Sequence, residues 1–559
     1  MKRFFFQARI IFALVVGISV PWAAGVGLAQ RSGLVVSDSP LATKAGMEIL
    51  ERGGNAVDAA IATAFALSVV DQASSGLGGG GFMVIYEAKE RRAHALDFRE
   101  TAPAAARKDL YLKDGKPVPS LSVTGGLAVA VPGEVAGLLT AFKRFGSMPL
   151  PALMAPAVRY AVEGFPIDAP LRHAIDLQQA AMKKFPDLAR VFLPKDEVPA
   201  EGEILRQSEL GETLQAIAAG GAEAFYQGRI AQAIAEAVKK EGGVLTLEDL
   251  KTYKPLWREP LIGQYRGRTV IAMPPPSSGG VAILQMLNVL EAHPLNKLHH
   301  NEATYLHLLA EAMKHAFADR AQYLGDPDFV KAPLATLISR DYAAWIRGRI
   351  SPVKTQPPKF YGMVHFKAEQ GGTTHFSVVD RFGNAVACTQ SVNTRFGSKV
   401  LAAKTGIVLN NTMDDFAIHP SGNVYGLVGN EANSLQPKKR PLSSMAPTII
   451  LRGARPEVVV GGAGGPRIIS ATLQTILNLL DFHMPVKEAV GAPRIHHQWM
   501  PDTLMVEADI AAETKRSLER RGHNLRERGA LGVVQAIMVK RGTASGAADP
   551  RKEERAKTE

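Results

Sequence analysis

The sequence predicts an α/β layered fold, and three observations carry that expectation. Residues 53–70 are almost continuously apolar and rich in Ala, as a helix buried on most sides requires. Helical patterns recur over 133–146, 207–240 and 302–322. Strand-like runs lie among them at 82–86, 268–273, 374–379, 385–392 and 457–461, and helices mixed with strands in this way build layers.

Taken in chain order, the N-terminus reads as a secretory signal. Lys2, Arg3 and Arg9 precede the apolar run Ile10–Val16, and Gly27-Leu28-Ala29 supplies small residues before a cut near Gln30. Residues 1–29 are therefore expected to be removed and the protein to be periplasmic or secreted. An uncleaved anchor is the competing reading, but Gly17 and Pro21 shorten the apolar segment. At 559 residues, with 46% hydrophobic and 21% charged side chains, the chain can bury a large core and form more than one domain. Its single cysteine, Cys388, excludes an intrachain disulfide, and its mid-strand apolar setting suits a buried small side chain. The net charge of +12 comes from Lys and Arg scattered among acids, without a basic block interleaved with aromatics, so nucleic-acid binding is not expected. The Pro- and Lys-rich stretch 351–370 reads as a flexible connection, and the mixed-charge tail Arg551–Glu559 as a frayed end.

The most telling segment follows that connection. Gly371-Gly372-Thr373 opens the alternating run Thr374-His375-Phe376-Ser377-Val378-Val379-Asp380. Glycine permits backbone geometries in which the Gly372 carbonyl lies open to the Thr373 hydroxyl. Attack there would shift the chain to an ester and then cut it, leaving Thr373 as a new N-terminus. Its α-amine, with a reference pKa of roughly 7.7–8.0, then suits a general base for its own hydroxyl. Asp380-Arg381-Phe382-Gly383-Asn384 reads as a hairpin turn, and pairing Val379 with Ala385 places Thr373 opposite Ser391, with Asn393 just beyond the strand. A surface hairpin with a Gly-Gly entry is the plainer reading of the same residues.

Three patterns imitate other sites. Gly76–Gly81 satisfies the GxGxxG spacing, but a helix precedes it and a strand follows, the reverse of a dinucleotide site; a tight turn beside the core is expected. His307, Glu311 and His315 share a helix face without the wording of a zinc helix, so a polar face is expected there. The pairs His299-His300 and His496-His497 point apart on regular structure.

Twelve motifs, in order along nearly the whole chain, resemble the gamma-glutamyltransferases (gamma-glutamyltranspeptidases), a family of N-terminal-nucleophile hydrolases. Before the nucleophile they are GGNAVDAAIA from Gly53, SGLGGGGF from Ser75, LDFRETAP from Leu96, VPGEVAG from Val131, PPPSSGG from Pro274 and YLGDPDF from Tyr323. From there on they are GGTTHFSVVD from Gly371, NNTMDDF from Asn410, NVYGLVGNEAN from Asn423, RPLSSMAPT from Arg440, GGAGGPRII from Gly461 and APRIHHQW from Ala492. The resemblance implies a four-layer αββα sandwich and a proenzyme cut between Gly372 and Thr373. It implies a large subunit of residues 30–372 and a small catalytic subunit of 373–559 in a non-covalent heterodimer.

The same likeness assigns roles. Thr373 is the implied nucleophile, with Ser391 and Asn393 orienting it, Ser391 standing where the family usually has Thr. Gly464 and Gly465 match the oxyanion hole. A γ-glutamyl group ends in an α-carboxylate and an α-ammonium. Arg99, Ser443 and Ser444 match the residues that hold the first, and Asp415 the one that holds the second. Thr412 replaces the usual Gln or Glu beside the ammonium, a shorter group without charge. Tyr425, within the lid-like segment Pro420–Asn430, is expected to pack near Asn393. The implied substrates are glutathione or other γ-glutamyl compounds, with water, amino acids or peptides as acceptors, and no metal or organic cofactor. A glutaryl or cephalosporin-type acylase, and an unprocessed γ-glutamyl-binding protein, are the alternatives. Retained Asp415 speaks against the first, because a substrate without the α-amine would leave that carboxylate unpaired.

Overall fold

The computed structural model describes residues 33–362, 372–418, 423–427 and 431–553. The expected signal peptide, the end of the 351–370 connection, parts of the 420–430 segment and the last residues of the tail lie outside these. In chain order the strands of the two main sheets are β1 Gly33–Ser37, β2 Gly80–Glu87, β3 Arg92–Phe98, β4 Leu256–Arg258, β5 Leu261–Tyr265 and β6 Arg268–Ala272. After the Gly372–Thr373 peptide come β7 Thr374–Asp380, β8 Ala385–Ser391, β9 Thr448–Arg452, β10 Arg455–Ala463, β11 Val533–Lys540 and β12 Thr543–Ala548. One six-stranded sheet runs β1-β7-β8-β2-β3-β4 and the other β12-β11-β10-β9-β6-β5, all pairs antiparallel.

Alternation along the strands builds the layers. On β7, Phe376 and Val378 face a helical layer that includes α1 Pro40–Glu51, α2 Ala56–Val70, α3 Glu134–Phe145 and α4 Leu150–Glu163. Val379, one step out of phase, joins Leu34, Phe82, Val84, Ile449, Val459 and Ile537 in the core between the sheets. On the far side, α5 Gly279–Leu290, α6 Ala303–Tyr323 and α7 Arg467–Leu480 cover Val270, Ile450, Val458 and Val460. The result is the four-layer αββα sandwich that the resemblance implied.

Local chemistry sets the ends of the elements. Asn55 accepts from Val57 N and Asp58 N, so α2 starts at Ala56 rather than at the predicted residue 53. The predicted 207–240 helix is two helices, Ser208–Tyr226 and Gly228–Lys240, meeting at Gln227. Asp380 closes the β7–β8 hairpin by accepting from Phe382 N and Asn384 N, and it also takes Ala56 N at the head of α2. The tail is a correction to the sequence reading. Arg551 is buried on Glu507 and Asp549, and Lys552 bridges Asp38 and Asp71, so paired charges hold the start of the tail down. Among the described residues no helix is long and apolar enough to cross a membrane.

Candidate active site

The site forms where β7 and β8 end. The hairpin register pairs Thr374 with Gln390, so Thr373 and Ser391 meet one step further on. Their hydroxyl oxygens are 3.1 Å apart, and both groups are buried. The Gly372 carbonyl oxygen lies 2.8 Å from Thr373 Oγ1 and accepts from Ser391 Oγ at 2.9 Å. Gly372 N–H donates to the Asn393 carbonyl at 2.9 Å. A Cβ on Gly372 would come within 3.1 Å of the Ala73 carbonyl oxygen and 3.2 Å of Arg395 N, so a side chain there would crowd the backbone. The uncut peptide is thus clamped from both ends beside the hydroxyl that could attack it.

Asn393 completes the clamp from the left-handed region, φ 78°, which Asn tolerates better than most residues. Its backbone N–H donates to Ser391 Oγ at 2.7 Å and its side-chain amide to the Asn411 carbonyl at 3.0 Å. Tyr425 Oη lies 2.6 Å from the Asn393 carbonyl oxygen and 2.9 Å from Asn393 Oδ1, close to both acceptors with a single proton to give. The Tyr425 ring sits so close to Gly465 that a Cβ there would fall 2.5 Å from it. Gly464 and Gly465 have φ of 125° and 61° and lead into α7, whose first N–H groups point away from the helix body. Gly464 borders one cavity that reaches Thr373, and Gly465 borders a second that also reaches it.

Beyond Thr373, one cavity reaches Arg99, Asp415, Ser443 and Ser444. It measures about 20 Å³, room for little more than a water molecule. Two features close it. Tyr425 covers one side, and Arg99 Nη2 is paired with Asp415 Oδ2. Arg99 also donates to the Pro441 carbonyl and lies 3.4 Å from Glu100 Oε2. Burial pushes the Asp415 carboxyl up to about 6, and Arg99 pulls against that rise. Asn423 Nδ2 donates to the other Asp415 oxygen at 3.0 Å. Asp414 points the opposite way, accepting from Ser122 Oγ and Val424 N, so the short turn Thr412–Asp415 sends one carboxylate to the cavity and one to the segment that carries Tyr425.

Thr412 sits elsewhere than the likeness implied. It is fully buried, donates to Glu100 Oε1 at 2.8 Å and does not border the cavity. Glu100, which the sequence reading passed over, thus links Thr412 to Arg99; its place beside Arg99 in LDFRE was the available signal.

The imitating patterns resolve as structure. Gly78 and Gly79 touch the Val408 and Ser391 carbonyls so closely that a Cβ would come within 2.2 and 2.1 Å. Glu311 and His307 meet His523, not His315, and their ligand atoms lie within 4.8 Å. Hydrogen bonds already occupy that group: His307 Nδ1 is 2.8 Å from His523 Nε2, His307 Nε2 is 2.7 Å from the Ser351 carbonyl, and Glu311 takes Thr355 and Tyr361. Lys314, 4.0 Å from Glu311, adds a positive charge that disfavours a cation. Cys388 is buried in β8 with its thiol pushed well up by burial, unsuited to attack.

Comparison with known proteins gives the same family. The gamma-glutamyltranspeptidase family model matches residues 42–558. The chain is 44% identical to the glutathione hydrolase proenzyme of Escherichia coli (strain K12) over 530 residues, 93% of this chain and 90% of that protein. It is 38% identical to the glutathione hydrolase proenzyme of Bacillus subtilis (strain 168), over 93% of this chain and 90% of that one. Among solved structures, the cephalosporin acylase from Bacillus halodurans aligns with a TM-score of 0.85 at 30% identity, covering 97% of this chain and 98% of its own. The gamma-glutamyltranspeptidase of Helicobacter pylori aligns with a TM-score of 0.57 at 42% identity, over 60% of this chain and 95% of that one. This chain belongs to the gamma-glutamyltranspeptidase family of enzymes.

Proposed function

We propose that the chain is a proenzyme that cuts itself at Gly372–Thr373 and then transfers γ-glutamyl groups from glutathione or similar amides to water or an amine. The carrying observation is the Thr373 hydroxyl, set between Ser391 and the Gly372 carbonyl at the mouth of a cavity that ends in Arg99 and Asp415.

In self-cleavage Thr373 Oγ1 adds to the Gly372 carbonyl carbon. The Ser391 hydroxyl stabilises the oxygen as it gains charge. The C–N bond then breaks, the proton lost by the hydroxyl goes to the departing nitrogen, and Gly372 is left as an ester on Thr373. Water hydrolyses the ester, freeing a Gly372 carboxylate and the Thr373 α-amine.

In turnover that amine takes the hydroxyl proton as Oγ1 attacks the substrate's γ-carbonyl. Backbone N–H groups of Gly464 and Gly465 hold the oxyanion, and the proton passes to the leaving amine. Water or an acceptor amine then attacks the γ-glutamyl ester and restores Thr373. Arg99 with Ser443 and Ser444 takes the α-carboxylate, and Asp415 takes the α-ammonium. The Helicobacter pylori chain spans 60% of this one, a share similar to that of residues 33–372, which supports a mature enzyme of two chains. The signal-like N-terminus supports export to the periplasm or beyond.

The likeness to a cephalosporin acylase favours one second reading, deacylation of glutaryl amides. Comparing a γ-glutamyl anilide with a glutaryl anilide decides between them. Faster γ-glutamyl turnover is expected; faster glutaryl turnover would remove the role given to Asp415.

A further inference from the structure

Arg320 lies in the last turn of α6 and is 4% exposed. Among the described residues no carboxylate lies within ion-pair distance of it. Its hydrogen bonds go to hydroxyls instead: Nε donates to Ser278 Oγ at 2.9 Å, and Nη2 faces Ser444 Oγ at 3.5 Å, long for a firm bond. An unpaired guanidinium is costly to bury, so a fold that keeps one has a use for its charge. Burial holds its pKa down, to about 10, and it stays cationic at neutral pH.

What Arg320 stands behind indicates the use. Ser278 Oγ donates to the Ser443 carbonyl at 2.7 Å, and Ser278 N–H donates to the same oxygen at 2.8 Å. Ser443 N–H in turn donates to the Pro276 carbonyl. The PPPSSGG turn, which the reading above leaves without a role, therefore splints the Ser443–Ser444 turn, and Arg320 anchors the splint. Those two serines border the cavity beside Arg99. Arg99 itself faces both Asp415 and Glu100, so these three groups formally sum to one negative charge, a poor setting for a carboxylate. Arg320 brings the sum to zero.

We propose that Arg320 is a positioning residue for the α-carboxylate of the acyl donor. Through Ser278 it fixes the Ser443–Ser444 turn, and through its charge it lets that turn hold an anion next to two acids. This rests on the γ-glutamyl reading above.

The test uses the cut enzyme and two acyl donors, L-γ-glutamyl anilide and 4-aminobutanoyl anilide, which lacks the α-carboxylate. The quantity read is the ratio of their kcat/KM values. R320Q is expected to lower that ratio by at least about tenfold, through KM for the γ-glutamyl donor with kcat little changed. R320K, which keeps the charge, recovers most of the ratio, and S278A lowers it by about threefold. Equal losses on both donors, or no loss, would overturn the proposal by reducing Arg320 to a structural role. If R320Q gives no cut enzyme, S278A decides, and an unchanged ratio there overturns the proposal. A wild-type enzyme with equal kcat/KM on both donors would overturn the γ-glutamyl reading, and the proposal with it.

Discussion

Arg99 and Asp415, suited to opposite ends of an amino acid, are bound to each other. In the proposed function, a γ-glutamyl group entering this cavity parts them, offering its carboxylate to Arg99 and its ammonium to Asp415. The exchange conserves charge pairing, so neither side chain is left buried and alone.

The state of Asp415 then sets an acid limit. Its pKa is raised, to about 6, so the neutral form persists to higher pH than usual and ammonium recognition fails as pH falls through that value. KM for a γ-glutamyl donor is expected to rise about tenfold per unit below pH 6, while a glutaryl donor shows no such limb. D415N should raise KM about 10–100-fold at pH 8 and abolish the limb. A pH profile of KM with both donors checks this, and an unchanged limb in D415N would contradict it.

Ser391 should govern cleavage as well as turnover. Its hydroxyl touches both Thr373 Oγ1 and the Gly372 carbonyl oxygen. S391A is expected to slow chain cutting about 10–100-fold, whereas S391T keeps it within a few fold. The fraction of cut chain over time on a denaturing gel reads this directly.

The two chains should stay together after the cut. The first sheet takes β1–β4 from before Thr373 and β7–β8 from after it, and the second takes β5–β6 from before and β9–β12 from after. Separating them would expose ladder edges and the whole inter-sheet core. Size-exclusion chromatography should return one peak holding both chains, resolved only in denaturant.

Tyr425 is hydrogen-bonded to Asn393, which in turn holds Ser391 Oγ and Gly372 N–H. Y425F should raise KM for the γ-glutamyl donor about 2–10-fold without slowing chain cutting. Y425A should do so more strongly and alter the balance of hydrolysis and transfer. Unchanged hydrolysis, transfer and affinity in Y425A would remove the lid role.

The hairpin was legible because its turn carries Asp380 and Gly383 and its strands alternate, which fixes the register and so brings Thr373 to Ser391. Strands β1, β3, β4, β5, β9, β11 and β12 are not among those that the sequence predicts. Thr543–Ala548 is rich in Ala and Gly, and becomes a strand only because β11 offers it an edge. The tail departs from expectation for a similar reason: Arg551 and Lys552 look solvated until Glu507, Asp38 and Asp71 arrive from distant segments. In the site, each expected residue except Thr412 borders the cavities around Thr373. Thr412 turns to Glu100 because a hydroxyl that short bonds the nearest buried carboxylate. The Arg99–Asp415 pair was illegible too, since each residue is expected to find its partner in the substrate and not in the other.

The most direct measurement is intact mass with N-terminal sequencing of the purified protein, beside T373A. Two wild-type chains, one beginning at Thr373, and a single chain without activity in T373A are expected. A single uncut wild-type chain, or a cut T373A, would overturn self-cleavage by Thr373.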